Sequence, residues 1–122
     1  MIEILDIGIN NVVAYRVEGK VTENEMQSVL SIFKDKIQAG AKVSIYQEIV
    51  SVGGAELDAI IEKLKFFSEF GISHFDKIAI LTQKNWMHKI IDLKGKLFKA
   101  FDMKGFSIDD KEKALEFLRS SK

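Results

Sequence analysis

Lys77-Ile78-Ala79-Ile80-Leu81-Thr82 is a short apolar stretch, rich in β-branched residues, in a chain of 122 residues. Uninterrupted apolar runs of this length are typical of strands that are buried on both faces, as in the interior of a parallel sheet. The stretch therefore predicts a central strand of a sheet that is covered by helices.

Strands and helices alternate on both sides of this stretch. Similar β-branched segments predict strands at 2–8, 12–18, 42–49 and 101–106. Apolar residues at three- and four-residue spacing predict helices over about 22–40, 54–69, 84–98 and 107–119. The turn Gly8-Ile9-Asn10-Asn11 makes the first two strands an antiparallel hairpin, and the intervening helices imply parallel crossovers for the others. The order β-β-α-β-α-β-α-β-α predicts one α/β domain over 1–122, with a mostly parallel sheet and an antiparallel N-terminal hairpin.

Two segments have the pattern of a helix start. Thr22-Glu23-Asn24-Glu25 is a capping box, in which the Thr22 hydroxyl accepts from the Glu25 amide and the Glu25 carboxylate accepts from the Thr22 amide. Ser107-Ile108-Asp109-Asp110 resembles a second box, with Asp in place of Glu. We therefore expect helices to begin directly after Thr22 and Ser107.

Composition narrows the class of protein. The chain has eighteen basic and eighteen acidic residues, no Cys and no Pro. Balanced charge argues against a nucleic-acid partner. The lack of Cys excludes disulfides and thiolate metal sites, and agrees with a cytoplasmic location. No apolar run approaches the ~18 residues of a transmembrane segment, and the first six residues lack the basic start of a signal peptide.

Charge is distributed unevenly along the chain. Residues 1–60 carry five basic and nine acidic side chains, a net charge of −4, whereas residues 61–122 carry thirteen basic and nine acidic side chains, a net charge of +4. The basic excess lies mainly in 84–104. This segment is either a solvated helix face or a surface that binds an anionic partner.

Few segments carry a recognisable chemical motif. The chain has no G-x-S-x-G, P-loop or dinucleotide-binding sequence. Gly53-Gly54, at a predicted strand-to-helix turn beside Ser51, is either a tight turn or a loop whose amides bind an anion. Glu48 is the best-placed carboxylate, near the carboxyl end of a predicted parallel strand, where open α/β sheets bind ligands. His88 and Asp92 form at most a surface pair. We predict no catalytic residue, no metal and no cofactor.

The predicted helix 84–99 is both apolar and basic. Trp86, the single Trp of the chain, lies near its start, close to Lys84, His88 and Lys89. Trp86 is either a partly buried packing residue or an amphipathic anchor at a membrane or partner surface.

Segments along nearly the whole chain form one further pattern: Val17 to Thr22 with Glu25, Val43 to Glu48, Gly54 with Leu57, Phe75 to Leu81 followed by Lys84-Asn85-Trp86, and Phe106 with Ala114, Phe117 and Leu118. This pattern resembles the SpoIIAA-like family, the STAS-like and CRAL-TRIO-like domains that occur as small stand-alone bacterial proteins. The resemblance implies a superhelical βα sheet. It brings no established catalytic residue.

Relatives of this family suggest two directions for function. STAS-type antagonists are switched by phosphorylation of a Ser at the start of the helix after the third strand. Here that position is Val52-Gly53-Gly54-Ala55, and the nearest hydroxyl is Ser51, which departs from the pattern. CRAL-TRIO relatives bind lipids in an apolar pocket, and no residue motif for that transfers to this chain.

These observations favour a non-enzymatic binding or regulatory module. It would dock a protein partner or a small apolar or anionic ligand near Gly53-Gly54 and Trp86. The alternative is peripheral binding to lipid or a membrane surface through helix 84–99, and a third hypothesis is an enzyme that uses Glu48 and His88. A homodimer through the exposed edge of the hairpin is compatible with each.

Overall fold

The computed structural model describes residues 1–38, 42–50, 75–83 and 102–120. Within these ranges the chain forms a five-stranded sheet in the order β1-β2-β3-β4-β5. β1 pairs antiparallel with β2, and the other pairs are parallel, which confirms the predicted α/β sheet with an N-terminal hairpin. The predicted helices 54–69 and 84–98 lie outside the described residues. The elements are β1 (Ile2–Leu5), β2 (Val12–Glu18), α1 (Glu23–Gln38), β3 (Val43–Val50), β4 (Phe75–Thr82), β5 (Asp102–Ser107) and α2 (Lys111–Arg119).

The most completely buried strands of the sheet are β3 and β4. All residues of Lys77–Thr82 are buried, as predicted for a central strand, and Val43–Ile49 is buried as well. β-Branched side chains pack well on such pleated surfaces that are covered on both sides. Burial on both faces is therefore the reason why these strands lack polar alternation.

Two apolar cores lie on opposite faces of the sheet. One, the α1-side core, packs the sheet against the buried Val29 and Phe33 of α1; the other, the α2-side core, packs it against α2. Consecutive strand residues alternate between the two faces. The α1-side core contains Val13, Tyr15, Val17, Val43, Ile45, Ile49, Ile78, Ile80 and Met103, and the α2-side core contains Ala14, Tyr46, Ala79, Leu81, Phe106, Ala114, Leu115 and Leu118.

The predicted capping box starts α1. The Glu25 amide donates to Thr22 Oγ1 at 3.2 Å, and the Thr22 amide donates to Glu25 Oε1 at 3.1 Å. Both bonds satisfy amides that a helix N-terminus would otherwise leave without partners. The second box is wrong: Ser107 ends β5, and α2 begins after Asp110, whose side chain makes no capping hydrogen bond.

The hairpin turn begins earlier than predicted. β1 ends at Leu5 rather than near Gly8, because the Asp6 carboxylate accepts from the Gly8 amide at 3.0 Å and bends the chain. Such Asx turns compete with strand pairing. Gly8 and Asn11 then adopt left-handed φ values of 71° and 60°, which only glycine and a few polar residues tolerate well.

A β-bulge displaces the start of β4. Val43 pairs with Phe75 but Ile45 pairs with Ile78, so two residues of β4 lie opposite Ser44 alone. The amide of Lys77 donates to Ser44 Oγ at 3.2 Å. The Ser44 hydroxyl therefore accepts from an amide that the bulge removes from the regular pairing between β3 and β4. The bulge also directs the Lys77 side chain to the α2 face of the sheet.

Candidate functional site

Glu48 lies on the central strand β3, near the carboxyl ends of the parallel strands. It is opposite Arg16 of β2 and Leu81 of β4, on the α2 face of the sheet. Its side chain is 4% exposed, whereas that of Arg16 is 42% exposed. Burying a carboxylate this deeply costs free energy unless charged or hydrogen-bonding partners compensate for the lost hydration.

The partners of Glu48 come from its own strand and from β2. Oε1 accepts from Arg16 Nε at 3.0 Å and lies 2.9 Å from Arg16 Nη2, and Oε2 accepts from the Tyr46 hydroxyl at 2.6 Å. Tyr46 reaches Glu48 because residues two apart on a strand share a face. We call these three residues the Glu48 cluster.

The contacts within the Glu48 cluster stabilise its charged groups and do not favour proton transfer. The hydrogen bond to Glu48 and its negative charge raise the pKa of the Arg16 guanidinium. Burial, followed by the hydrogen bond to Glu48, raises the pKa of the Tyr46 phenol above its ordinary value of 10.0. Because both oxygens of Glu48 are already hydrogen-bonded, the carboxylate is poorly placed to act as a general base.

Lys77 is a second buried charged residue on the same face. Its ammonium donates to the carbonyl of Phe117 at 2.9 Å, to the Ser120 hydroxyl at 2.7 Å and to the Ser120 carbonyl. The same ammonium lies 5.3 Å from the centre of the Phe117 ring. These acceptors are at the carboxyl end of α2, where unpaired carbonyls and the helix dipole favour a cation. Lys77 therefore links β4 to the carboxyl end of α2 through these hydrogen bonds.

An apolar cleft opens at the other end of the sheet. It has a volume of about 230 Å³ and lies between the end of β1, the hairpin turn and α1. Asp6 and Lys36 are the charged residues of its lining, and Ile4, 49% exposed, lies in its wall. We call this feature the β1 cleft. Its apolar lining is made by Ile4, Leu5, Ile7, Ile9, Val12, Val13, Ala14 and Ile32.

Glu25 of α1 shields the edge strand β1. Its Oε2 accepts from the Ile2 amide at 2.5 Å, while its Oε1 accepts from Thr22. The Glu18 amide donates to the Met1 carbonyl, so alternation along an antiparallel ladder directs the Ile2 amide away from β2. Because the Ile2 amide already donates to Glu25, fewer backbone groups of β1 remain to pair with a second strand. The homodimer predicted through this edge stays a prediction.

Replacing Glu25 by Gln is expected to lower stability at pH 7 and to have little effect in acid. Hydrogen bonds from the amides of Ile2 and Thr22 hold the pKa of Glu25 below its ordinary value of 4.5. A lowered pKa in the folded state stabilises the protein above the unfolded pKa, and this contribution disappears as the pH falls through the folded value. The melting temperatures of wild type and Glu25→Gln are compared between pH 7 and pH 2.5. The difference between them should narrow below about pH 4.

The matched control for this prediction is Glu23→Gln. Glu23 also lies in the first turn of α1 and is exposed, so the same charge is removed next to the same helix end. A pH-independent loss in Glu25→Gln, or an equal pH-dependent loss in Glu23→Gln, would contradict the role of the Ile2 and Thr22 contacts.

The other predicted site residues lie outside the described residues. They are Ser51, Gly53, Gly54, Lys84, Trp86, His88 and Lys89. Their roles in ligand, partner or lipid binding stay predictions. Among the described ranges, no group of His, Asp or Glu residues is arranged to hold a metal ion. No described helix is long and apolar enough to span a membrane.

The sequence profile of the SpoIIAA-like family matches residues 12–119. The chain belongs to the SpoIIAA-like family. The match covers β2 to α2 and confirms the resemblance that the sequence pattern indicated. None of the curated proteins matches the chain.

A solved structure shows the same SpoIIAA-like fold. It is the crystal structure of an uncharacterized protein of the DUF3478 family, with a SpoIIAA-like fold, from Shewanella loihica PV-4. The TM-score is 0.65 with 18% sequence identity, over 97% of this chain and 92% of the other. At this identity the likeness concerns the fold alone.

The sequence pattern predicted a functional role for Glu48 but not for Arg16 or Lys77. Each of these two is a cation within a largely apolar strand. A charged residue on a buried strand needs a partner. The position of each cation in its strand is therefore the sequence signal that could have identified it. The partner of Lys77 lies 40 residues away in sequence, so pattern alone does not identify it.

Proposed function

We propose that this SpoIIAA-like protein is a non-enzymatic binding module that docks a protein partner at the β1 cleft. One observation supports the non-enzymatic part of this proposal: the buried charged side chains that the structure describes already have hydrogen-bonding partners. Glu48 is held by Arg16 and Tyr46, and Lys77 by the end of α2. These groups stabilise the fold and leave no buried acid or base of the described residues poised for catalysis.

The size and charge of the β1 cleft favour a protein as its occupant. Its volume of about 230 Å³ is below the ~300–1,000 Å³ of typical small-molecule pockets, but it suits one large apolar side chain. Ile4 in the wall of the cleft is 49% exposed, so a partner can reach it. Asp6 and Lys36 can pair with charges of opposite sign beside such an anchor. The partner would therefore insert an apolar side chain that is flanked by charged residues.

Replacing Ile4 by Asp tests this proposal. The variant places a charge in the wall of the cleft, at a position already half exposed, so the fold should survive. Wild type and variant are immobilised, and proteins captured from a lysate of the source organism are quantified by mass spectrometry. We expect at least one protein to be retained by wild type and reduced tenfold or more by Ile4→Asp.

The matched control is Gln27→Asp. Gln27 is exposed on α1 and is not part of the cleft lining, so it adds the same charge elsewhere. Equal capture by wild type and Ile4→Asp would contradict docking at the cleft. A small adduct in native mass spectra, released on denaturation and lost in Ile4→Asp, would instead identify the occupant as a small ligand.

A further inference from the structure

Two polar side chains are buried on the face of the sheet that carries the α1-side core. Gln47 of β3 is 1% exposed and Thr82 of β4 is fully buried. Neither Gln47 Oε1 nor Thr82 Oγ1 has a hydrogen-bond partner in the part of the chain that the structure describes. A buried polar atom without a partner costs about 1–3 kcal/mol, so two of them in one core call for a physical explanation.

The two oxygens belong to one place on the sheet. Gln47 is paired with Ile80, and Thr82 is paired with Ile49, so Gln47 and Thr82 are diagonal neighbours on adjacent strands. Both are on the face that carries Ile49 and Ile80 of the α1-side core. With a strand spacing near 4.8 Å and a rise near 3.3 Å per residue, their Cα atoms are about 8 Å apart. A single oxygen atom can bridge side chains at that separation.

We propose that Gln47 and Thr82 together bind one neutral O–H group, either a water molecule or the hydroxyl of a small apolar ligand. The Thr82 hydroxyl donates to the bound oxygen, and the bound O–H donates to Gln47 Oε1. Buried waters typically serve polar groups in this way. The site lies near the carboxyl ends of the two central strands, where ligands of α/β sheets bind.

The described neighbours of the two oxygens favour a neutral group. The neighbours of Gln47 and Thr82 on this face of β3 and β4 are isoleucines, namely Ile45, Ile49, Ile78 and Ile80. The charged Glu48 and Lys77 of the same strands make their contacts on the opposite face. A buried ion would find no opposite charge among these neighbours, whereas an O–H group needs only the two oxygens.

Nuclear Overhauser spectroscopy of the isotope-labelled full chain tests the proposal. We expect a cross-peak between the Thr82 methyl group and the water resonance, with the sign of a long-lived water. If the source is a ligand, the Thr82 methyl group shows cross-peaks to protons of a non-protein molecule, and native mass spectrometry gives its mass. The buried Val29 methyl groups serve as an apolar control. Thr82 without either cross-peak would overturn the proposal.

A double-mutant cycle gives an independent readout. Thr82→Val and Gln47→Met keep the side-chain volumes but remove the two oxygens. If both hold one group, each substitution lowers the urea midpoint, and the double variant loses less than the two losses together. If nothing is bound, each substitution removes an unsatisfied polar atom and raises the midpoint, with additive effects. That second pattern would also overturn the proposal.

Discussion

Replacing Arg16 by Met is expected to lower the free energy of unfolding by about 2 kcal/mol. Removing one partner of a fully buried ion pair costs ~3–5 kcal/mol, but Arg16 is 42% exposed, so solvent screens part of this interaction. The substitution leaves the Glu48 carboxylate, 4% exposed, with the Tyr46 hydroxyl as its remaining hydrogen-bond partner in the Glu48 cluster. Urea unfolding at pH 7 measures the loss.

The reciprocal substitution, Glu48→Gln, is the matched comparison and should cost only about 1 kcal/mol. Gln can still accept from Tyr46, and Arg16 is 42% exposed, so water solvates the guanidinium that Glu48 releases. In the double variant Arg16→Met/Glu48→Gln no charge remains in the Glu48 cluster, and this variant should be more stable than Arg16→Met alone. Equal losses from the two single substitutions would show that the buried carboxylate is not the costly partner.

Replacing Lys77 by Met is expected to lower the free energy of unfolding by about 2 kcal/mol, because a charged donor to several acceptors is removed. Met keeps most of the apolar stem but leaves the carbonyls of Phe117 and Ser120 without their ammonium. The end of α2 should then open more readily. Hydrogen exchange of the α2 amides should accelerate more than that of the β3 amides.

Lys104→Met is the control for this prediction. Lys104 is exposed on the neighbouring strand β5 and lies 5.5 Å from the Phe106 ring, so its ammonium also faces an aromatic ring on the α2 face. We expect it to change the free energy of unfolding by less than about 0.5 kcal/mol. If both lysine substitutions lower the free energy of unfolding by the same amount, the contacts of Lys77 with α2 do not stabilise the protein.

The sequence was sufficient to predict the sheet because burial leaves a strong local pattern. The apolar run ending at Thr82 identified a central strand, and the Thr22–Glu25 box identified the start of α1. Both signals are contained in segments of a few residues. The SpoIIAA-like family assignment followed from several such segments in the same order.

The local details that the sequence did not reveal depend on contacts distant in the chain. The β4 bulge depends on the Ser44 hydroxyl, 33 residues before Lys77. The start of α2 was misplaced because Ser107 completes β5, where pairing with Thr82 outweighs the capping tendency of its side chain. The Glu48 cluster needs the register of β2 against β3, which places Arg16 opposite Glu48. That register is set by three-dimensional packing rather than by either strand alone.

The most direct measurement compares Glu48→Gln and Ile4→Asp in the same capture experiment, after both variants are shown to be folded. If the buried charges serve the fold and the β1 cleft serves the partner, Glu48→Gln retains the protein captured by wild type. Ile4→Asp then loses it tenfold or more. Loss of that protein in folded Glu48→Gln, with full retention in Ile4→Asp, would place the binding site at the carboxyl ends of the strands and contradict the proposed function.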